Sequence, residues 1–222
     1  MEKTSTFHLQ WSHPFPESVV PHLTLHTFRS HEFVITEGDA PQYLYYIVEG
    51  KAKVYFTQQN GKVALLHFVT EGAFIGDMEM LDERYESKGV QAATTLKMLA
   101  LPIHMARQTL LTDALFLRQL CTYMSRKIMH NSAKMSQSLA YPLENRLAEF
   151  LLMSQENRVY NEKHTEVAAF LGVSYRHLLY VFAQFVDRGL IEKDGKQYVL
   201  KDVKALTRMA TSIFKTPIHD ID

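Results

Sequence analysis

The stretch from His164 to Ala183, HTEVAAFLGVSYRHLLYVFA, constrains the fold more than any other part of the chain. Its apolar residues fall on two helical faces, Val167, Ala168 and Leu171 on the first and Leu178, Val181 and Phe182 on the second. Ala168 is small where two crossing helices must approach, and Gly172 can take the positive φ that a tight turn demands. Ser174, just past the turn, is placed to cap the first amides of the second helix. These features predict a helix-turn-helix. The solvent side of its second helix carries Tyr175, Arg176, His177 and Tyr180, groups that donate or stack as base recognition in a DNA major groove requires. The competing reading is a helical hairpin inside an enzyme, but the small, glycine and apolar positions together favour the first.

The next segment strengthens it. Gly189–Leu200 reads GLIEKDGKQYVL, two alternating strands around Asp194-Gly195, which predicts a hairpin and so a winged helix-turn-helix. Lys193 and Lys196 flank the expected turn, placed to touch phosphates beside the groove. Charge opposes this reading. The chain has 24 Lys/Arg against 24 Asp/Glu, and from Tyr141 onward the count is 11 against 11. Phosphate contacts must then come from a local face and from helix N-termini, with weak non-specific affinity.

Upstream, from Leu25 to about Leu101, short apolar stretches alternate with glycine turns. The stretches are Phe33–Ile35, Leu44–Val48, Ala52–Phe56, Val63–Val69 and Leu96–Leu101; the turns hold Gly38, Gly50, Gly61 (between Asn60 and Lys62), Gly72 and Gly76. Turns spaced by about 11 residues predict an antiparallel β-roll of jelly-roll type. From Leu110 to Gln137 there is no proline or glycine, and Leu117, Leu120, Cys121, Met124, Ile128, Ala133 and Met135 form a helical stripe. A symmetric coiled-coil-like dimer would bury that stripe; the alternative is a core helix packed on the roll. Tyr141-Pro142 breaks this helix, and a second runs from Leu143 to about Ser154. Asp202 is placed to cap a last helix with Val203, Leu206, Met209, Ala210 and Ile213 on one face. The first 24 residues read as irregular. The expected class is α+β in three parts: a sensor roll over 1–107, a long dimerisation helix over 108–140, and a winged helix-turn-helix with an extra C-terminal helix over 141–222.

This order resembles the CRP/FNR family of bacterial transcription regulators, most specifically in YLYYIVEGKAKVY (43–55), GAFIGDMEML (72–81) and the segment from Thr165 to Leu190. LGVSYRHLLYVFAQF is similar to the YeiL-type branch. The resemblance implies a homodimer whose roll senses an effector and whose two recognition helices read a pseudo-palindromic operator in double-stranded DNA, with half-sites roughly 34 Å apart. It implies an activator, with RNA polymerase as a partner through the polar loop Gln155–Lys163. The family's three base-reading positions fall on Tyr175, Arg176 and Tyr180, and Arg176 suits a bidentate contact to guanine. Tyr180 has a competing structural reading as a helix-packing tyrosine.

The implied effector pocket holds Gly76, Asp77, Ser87, Lys88, Asn131 and Ser132. Gly76-Asp77 keeps the acidic end of the cyclic-nucleotide motif, but its Arg-Ser pair falls on Glu86-Ser87. A carboxylate there repels an anion, so cyclic AMP is not the expected effector and no cofactor is expected. Arg84 and Lys88 are the nearby cations able to substitute if the loop shifts. The family's oxygen sensor needs an N-terminal cysteine cluster and its carbon-monoxide sensor a haem-ligating Cys/His region. Neither pattern is present, since Cys121 is the single cysteine and His67 stands alone in a strand.

A single cysteine excludes internal disulfides and fits a reducing cytoplasm. Cys121 reads as a buried, inert residue of the helix stripe, with a redox switch at the dimer seam as the alternative. His8, His13, His22, His26 and His31 lack ligand spacing, so no metal site is expected. No apolar run approaches the roughly 20 residues of a membrane span, and no membrane partner is expected. With no nucleophile–base pair and no phosphate-cradling loop, an enzyme is not expected. Two regulatory alternatives remain: a ligand-independent regulator with a vestigial roll, and a thiol-responsive one acting through Cys121.

Overall fold

The computed structural model describes residues 2–4, 11–59, 61 and 63–211, except the side chains of 2–4, 130, 131, 133–139 and 211. Asn60 and Lys62 of the expected turn, His8 and Ile213 lie outside the described residues. The chain divides into two compact units, residues 1–124 and 125–222.

The first unit is the antiparallel roll. Its strands are β1 (Glu2–Thr4), β2 (Thr24–Phe28), β3 (Phe33–Ile35), β4 (Tyr43–Glu49), β5 (Lys51–Thr57), β6 (Val63–Thr70), β7 (Phe74–Ile75), β8 (Gly89–Ala92) and β9 (Leu96–Pro102). One sheet runs β1-β2-β9-β4-β7 and the other β3-β8-β5-β6. Strand β4 shows why its sequence YLYYIVE is apolar almost throughout. Tyr45 and Ile47 join the cluster that includes Phe28, Val90, Leu96 and Met98, whereas Leu44, Tyr46 and Val48 pack with Phe15, Phe74, Leu99 and Phe116. Both faces are covered, so the usual alternation is lost.

The second cluster corrects two expectations. Residues 1–24 are not irregular throughout, because β1 pairs with β2 and Phe15, Val19 and Leu23 are buried in the core. The helix expected over 108–140 is preceded by a separate one: α2 (Ile103–Leu110) ends, and α3 runs Ala114–Ala140. Asp113 makes the break, its Oδ1 accepting from the Phe116 amide at 2.8 Å. Phe116 and Leu120 then bury against the roll, so the first turns of α3 belong to that core. Before them lies α1 (Asp77–Leu81), a single turn that glycine spacing did not announce.

The second unit contains α4 (Leu143–Ser154), α5 (His164–Phe170), α6 (Tyr175–Asp187) and α7 (Val203–Thr211). A small sheet, β10 (Val159–Tyr160), β12 (Gln197–Leu200) and β11 (Ile191–Asp194) in that spatial order, joins them. Asp202 caps α7 by accepting from the Ala205 amide at 2.8 Å, and Leu206 and Ala210 are buried. Among the described residues no helix is long and apolar enough to cross a membrane.

Candidate functional site

The turn between α5 and α6 is built from the backbone outward. Gly172 has φ +65, and nothing lies within 4 Å of where its Cβ would be, so its role is conformational rather than steric. The Val173 amide donates to the Ala168 carbonyl at 2.9 Å and the Gly172 amide to Ala169 at 3.2 Å. These two bonds form a Schellman end on α5. Arg146, on α4, donates from Nη1 to the Leu171 carbonyl at 2.6 Å and holds the same corner. Sequence reasoning missed it, because its partner is a main-chain oxygen 25 residues away that no side-chain pattern marks. Ser174 caps α6 as expected, Oγ accepting from the His177 amide at 3.2 Å.

The inner faces are those read from the sequence. Val167, Ala168 and Leu171 are buried on α5, as are Leu178, Val181, Phe182 and Phe185 on α6. Phe182 is gripped by three rings: His164 at 4.4 Å, Tyr198 at 4.9 Å and Tyr160 at 5.5 Å between centroids. Burial, and then the charge of Lys193, hold the His164 pKa below the ordinary imidazole value. These rings tie α6 to β10 and β12.

The outer face of α6 stands clear of its own unit. Tyr175, Arg176 and His177 are exposed, and Tyr180 is 62% exposed, which removes its helix-packing reading. Lys193 and Lys196 are exposed on the wing. The turn itself falls on Gly195-Lys196, one residue later than expected, because Asp194 pairs with Gln197. Glycine at the first turn position, with φ +58, suits a two-residue hairpin, and Lys196 sits in the turn rather than beside it.

The second constellation lies in the roll. Gly76 precedes α1 with φ +87, and Asp77 and Glu79 on α1 are both buried. Ser87 is 3% exposed, and its Oγ has no hydrogen-bond partner among the described residues. Arg84 is paired with Asp82, with two nitrogens at 2.9 and 3.0 Å from its carboxylate, and Lys88 lies 6.0 Å from the Phe56 ring centroid. Arg107 donates to the Glu79 carbonyl at 2.7 Å and pairs with Glu83, also at 2.7 Å. Glu86 is exposed. Tyr123, on α3, was missed by sequence reasoning. Its hydroxyl accepts from the Phe74 amide at 3.3 Å, and burial and the Asp77 charge together raise its pKa. Of the two polar residues expected from the long helix, Ser132 is exposed and the Asn131 side chain lies outside the described residues. Both belong to the second unit, so the expected pocket residues are divided between the two units. Cys121 is exposed in the single chain, contrary to the buried position expected for it.

Each unit matches a known protein domain. The cyclic nucleotide-binding domain model matches residues 25–113, and the Crp-like helix-turn-helix domain model matches residues 145–209. The chain is 45% identical to the regulatory protein YeiL of Escherichia coli O157:H7 over 183 residues, 82% of this chain and 84% of that protein. It is 24% identical over 197 residues to the cAMP-activated global transcriptional regulator CRP of Salmonella typhimurium, covering 84% of this chain and 94% of that one. Among solved structures, a CRP/FNR-family transcriptional regulator from Thermus thermophilus superposes with a TM-score of 0.66 at 21% identity, covering 86% of this chain and 100% of the other. FixK2 from Bradyrhizobium japonicum gives 0.60 at 18% identity, over 84% and 96%. At these identities the structural likeness establishes the fold.

Proposed function

The chain belongs to the CRP/FNR family of transcription regulators, with a helix-turn-helix for binding DNA, and on that premise we propose that it acts as a homodimeric activator on a pseudo-palindromic operator, gated by an effector other than cyclic AMP. The observation that carries this reading is the division of α6. One face is fully buried by rings and aliphatic side chains, while Tyr175, Arg176, His177 and Tyr180 stand in solvent on the other. Arg176 reads guanine, the tyrosines contact bases or phosphates, and Lys193 and Lys196 take phosphates beside the groove.

The dimer is supported by α3. Leu117, Cys121, Met124 and Ile128 recur at coiled-coil spacing, and Ile128 is 63% exposed in the single chain. Burying that stripe against its copy sets two recognition helices about one DNA turn apart. RNA polymerase is the proposed partner of the 155–163 segment, of which β10 takes up Val159–Tyr160 and Tyr160 is buried, leaving the turn at Asn157 and Arg158, both with left-handed φ, as an exposed part. The proposed setting is the cytoplasm. The relatives named CRP are cAMP-activated; here Glu86 stands where the family motif carries its arginine, and that supports an effector other than cyclic AMP.

Selection of bound duplexes from a random library by the purified protein tests this reading. The expected result is a two-fold symmetric motif, with enrichment unchanged by cyclic AMP. Arg176→Ala should erase one base preference per half-site, a loss of about 1–3 kcal/mol of discrimination. A motif without symmetry overturns the dimer, and enrichment that requires cyclic AMP overturns the effector assignment.

A further inference from the structure

The exposed face of α6 holds a side chain that the reading above leaves unused. Leu179 is 37% exposed, one helical turn beyond Tyr175 and Arg176 and next to Tyr180. Residues 175, 176, 179, 180 and 183 share one side of a 3.6-residue helix, so Leu179 and the exposed Ala183 make an apolar strip within the polar readers. A lone exposed leucine on a surface is ordinary. This one stands in the middle of the helix face that must meet base edges, with more than a third of its surface open to solvent.

Charge makes the strip matter. With 24 positive and 24 negative side chains the chain has little general attraction to phosphates, so binding energy has to come from contacts in the groove. The apolar group that the major groove offers is the thymine C5 methyl. We infer that Leu179 reads a thymine methyl beside the guanine contacted by Arg176, an assignment that rests on the groove placement of α6 proposed above. Three residues advance about 4.5 Å along a helix, and a base-pair step is about 3.4 Å, so the two bases lie within about two steps of each other.

Uracil differs from thymine by that methyl alone, so single deoxyuridine substitutions in the selected duplex are the test. Wild-type protein should lose affinity about fourfold, equivalent to about 0.8 kcal/mol, at one symmetric position per half-site. Leu179→Ala should bind the thymine and uracil duplexes alike while remaining folded by circular dichroism. Arg176→Ala should keep the thymine preference. Indifference of the wild type to uracil at every position overturns the inference, as does a preference that survives Leu179→Ala, and both leave the helix in its groove. Failure to bind any duplex specifically overturns the groove placement itself.

Discussion

The two halves of the molecule place their polar groups in opposite ways. On α6 they stand in solvent, and the helix is held by what lies behind it, Leu178, Val181, Phe182 and Phe185. In the roll, Asp77, Glu79 and Ser87 are drawn inside, while the cation Arg84 sits outside, paired with Asp82. An exposed reader adds little to folding stability, so its identity can change with the target at almost no structural cost. A buried carboxylate or hydroxyl carries a desolvation cost, most of all where, as at Ser87, no described group satisfies it. The exposed face of α6 is therefore replaceable residue by residue at little structural cost, whereas the buried polar groups of the roll are not.

The strongest way to break this comparison is to remove what lies behind α6. Phe182→Ala empties the space between His164, Tyr160 and Tyr198, and losses for such a ring are about 3–5 kcal/mol. That is a large part of the roughly 5–15 kcal/mol that holds a domain. Calorimetry should show one transition falling steeply, with the transition of residues 1–124 in place, and DNA binding lost. A single transition that falls as a whole would mean the two units are not separate cooperative bodies.

The same contrast decides what could be read from the chain. The helix-turn-helix was legible because its constraints are local: Ala168, Gly172, Ser174 and the apolar positions all lie within about 20 residues and follow helix geometry. The glycine-punctuated strands β3, β4, β5, β6 and β9 were legible for the same reason. The short elements were not. Helix α1 is one turn long, β7 is two residues, and neither carries a period. The wing turn slipped by one residue because Asp-Gly and Gly-Lys both make acceptable turns, and only the pairing of Asp194 with Gln197 selects between them. Around Asp77, the participation of Tyr123 depends on α3 folding back onto β7, a contact across 49 residues.

Tyr123→Phe sharpens the comparison on the side of the roll, at a smaller magnitude. The ring packs at 5.4 Å from Phe74 between centroids and would remain, so the change removes only the oxygen that accepts the Phe74 amide. Leaving that amide without its acceptor should cost about 1 kcal/mol. The melting temperature of the first unit should fall by a few degrees, while the base preferences of α6 stay as they were. A loss of DNA specificity without loss of stability would instead make Tyr123 part of the signalling route from roll to helix.

The smallest effect is a pH dependence confined to the DNA-binding unit. Burial against Phe182, Tyr160 and Tyr198, and the positive charge of Lys193 on the wing, keep His164 from taking up a proton in the folded state. The unfolded chain has no such restraint and protonates this residue near its ordinary value of about 6.5. Below that pH the unfolded state binds a proton that the folded state does not. Stability is therefore full above about pH 6.5 and declines as pH falls toward the lowered folded value, beyond which the His164 contribution is flat. The tyrosines that face it stay neutral throughout, because burial raises the pKa of both Tyr160 and Tyr198. His164→Phe keeps a ring against Phe182 and removes the titration. Its second-unit transition should move less between about pH 7 and pH 5 than that of the wild type. Equal slopes for the two proteins would place the titrating group elsewhere in the unit, and a steeper slope in the variant would reverse the sign assigned to His164.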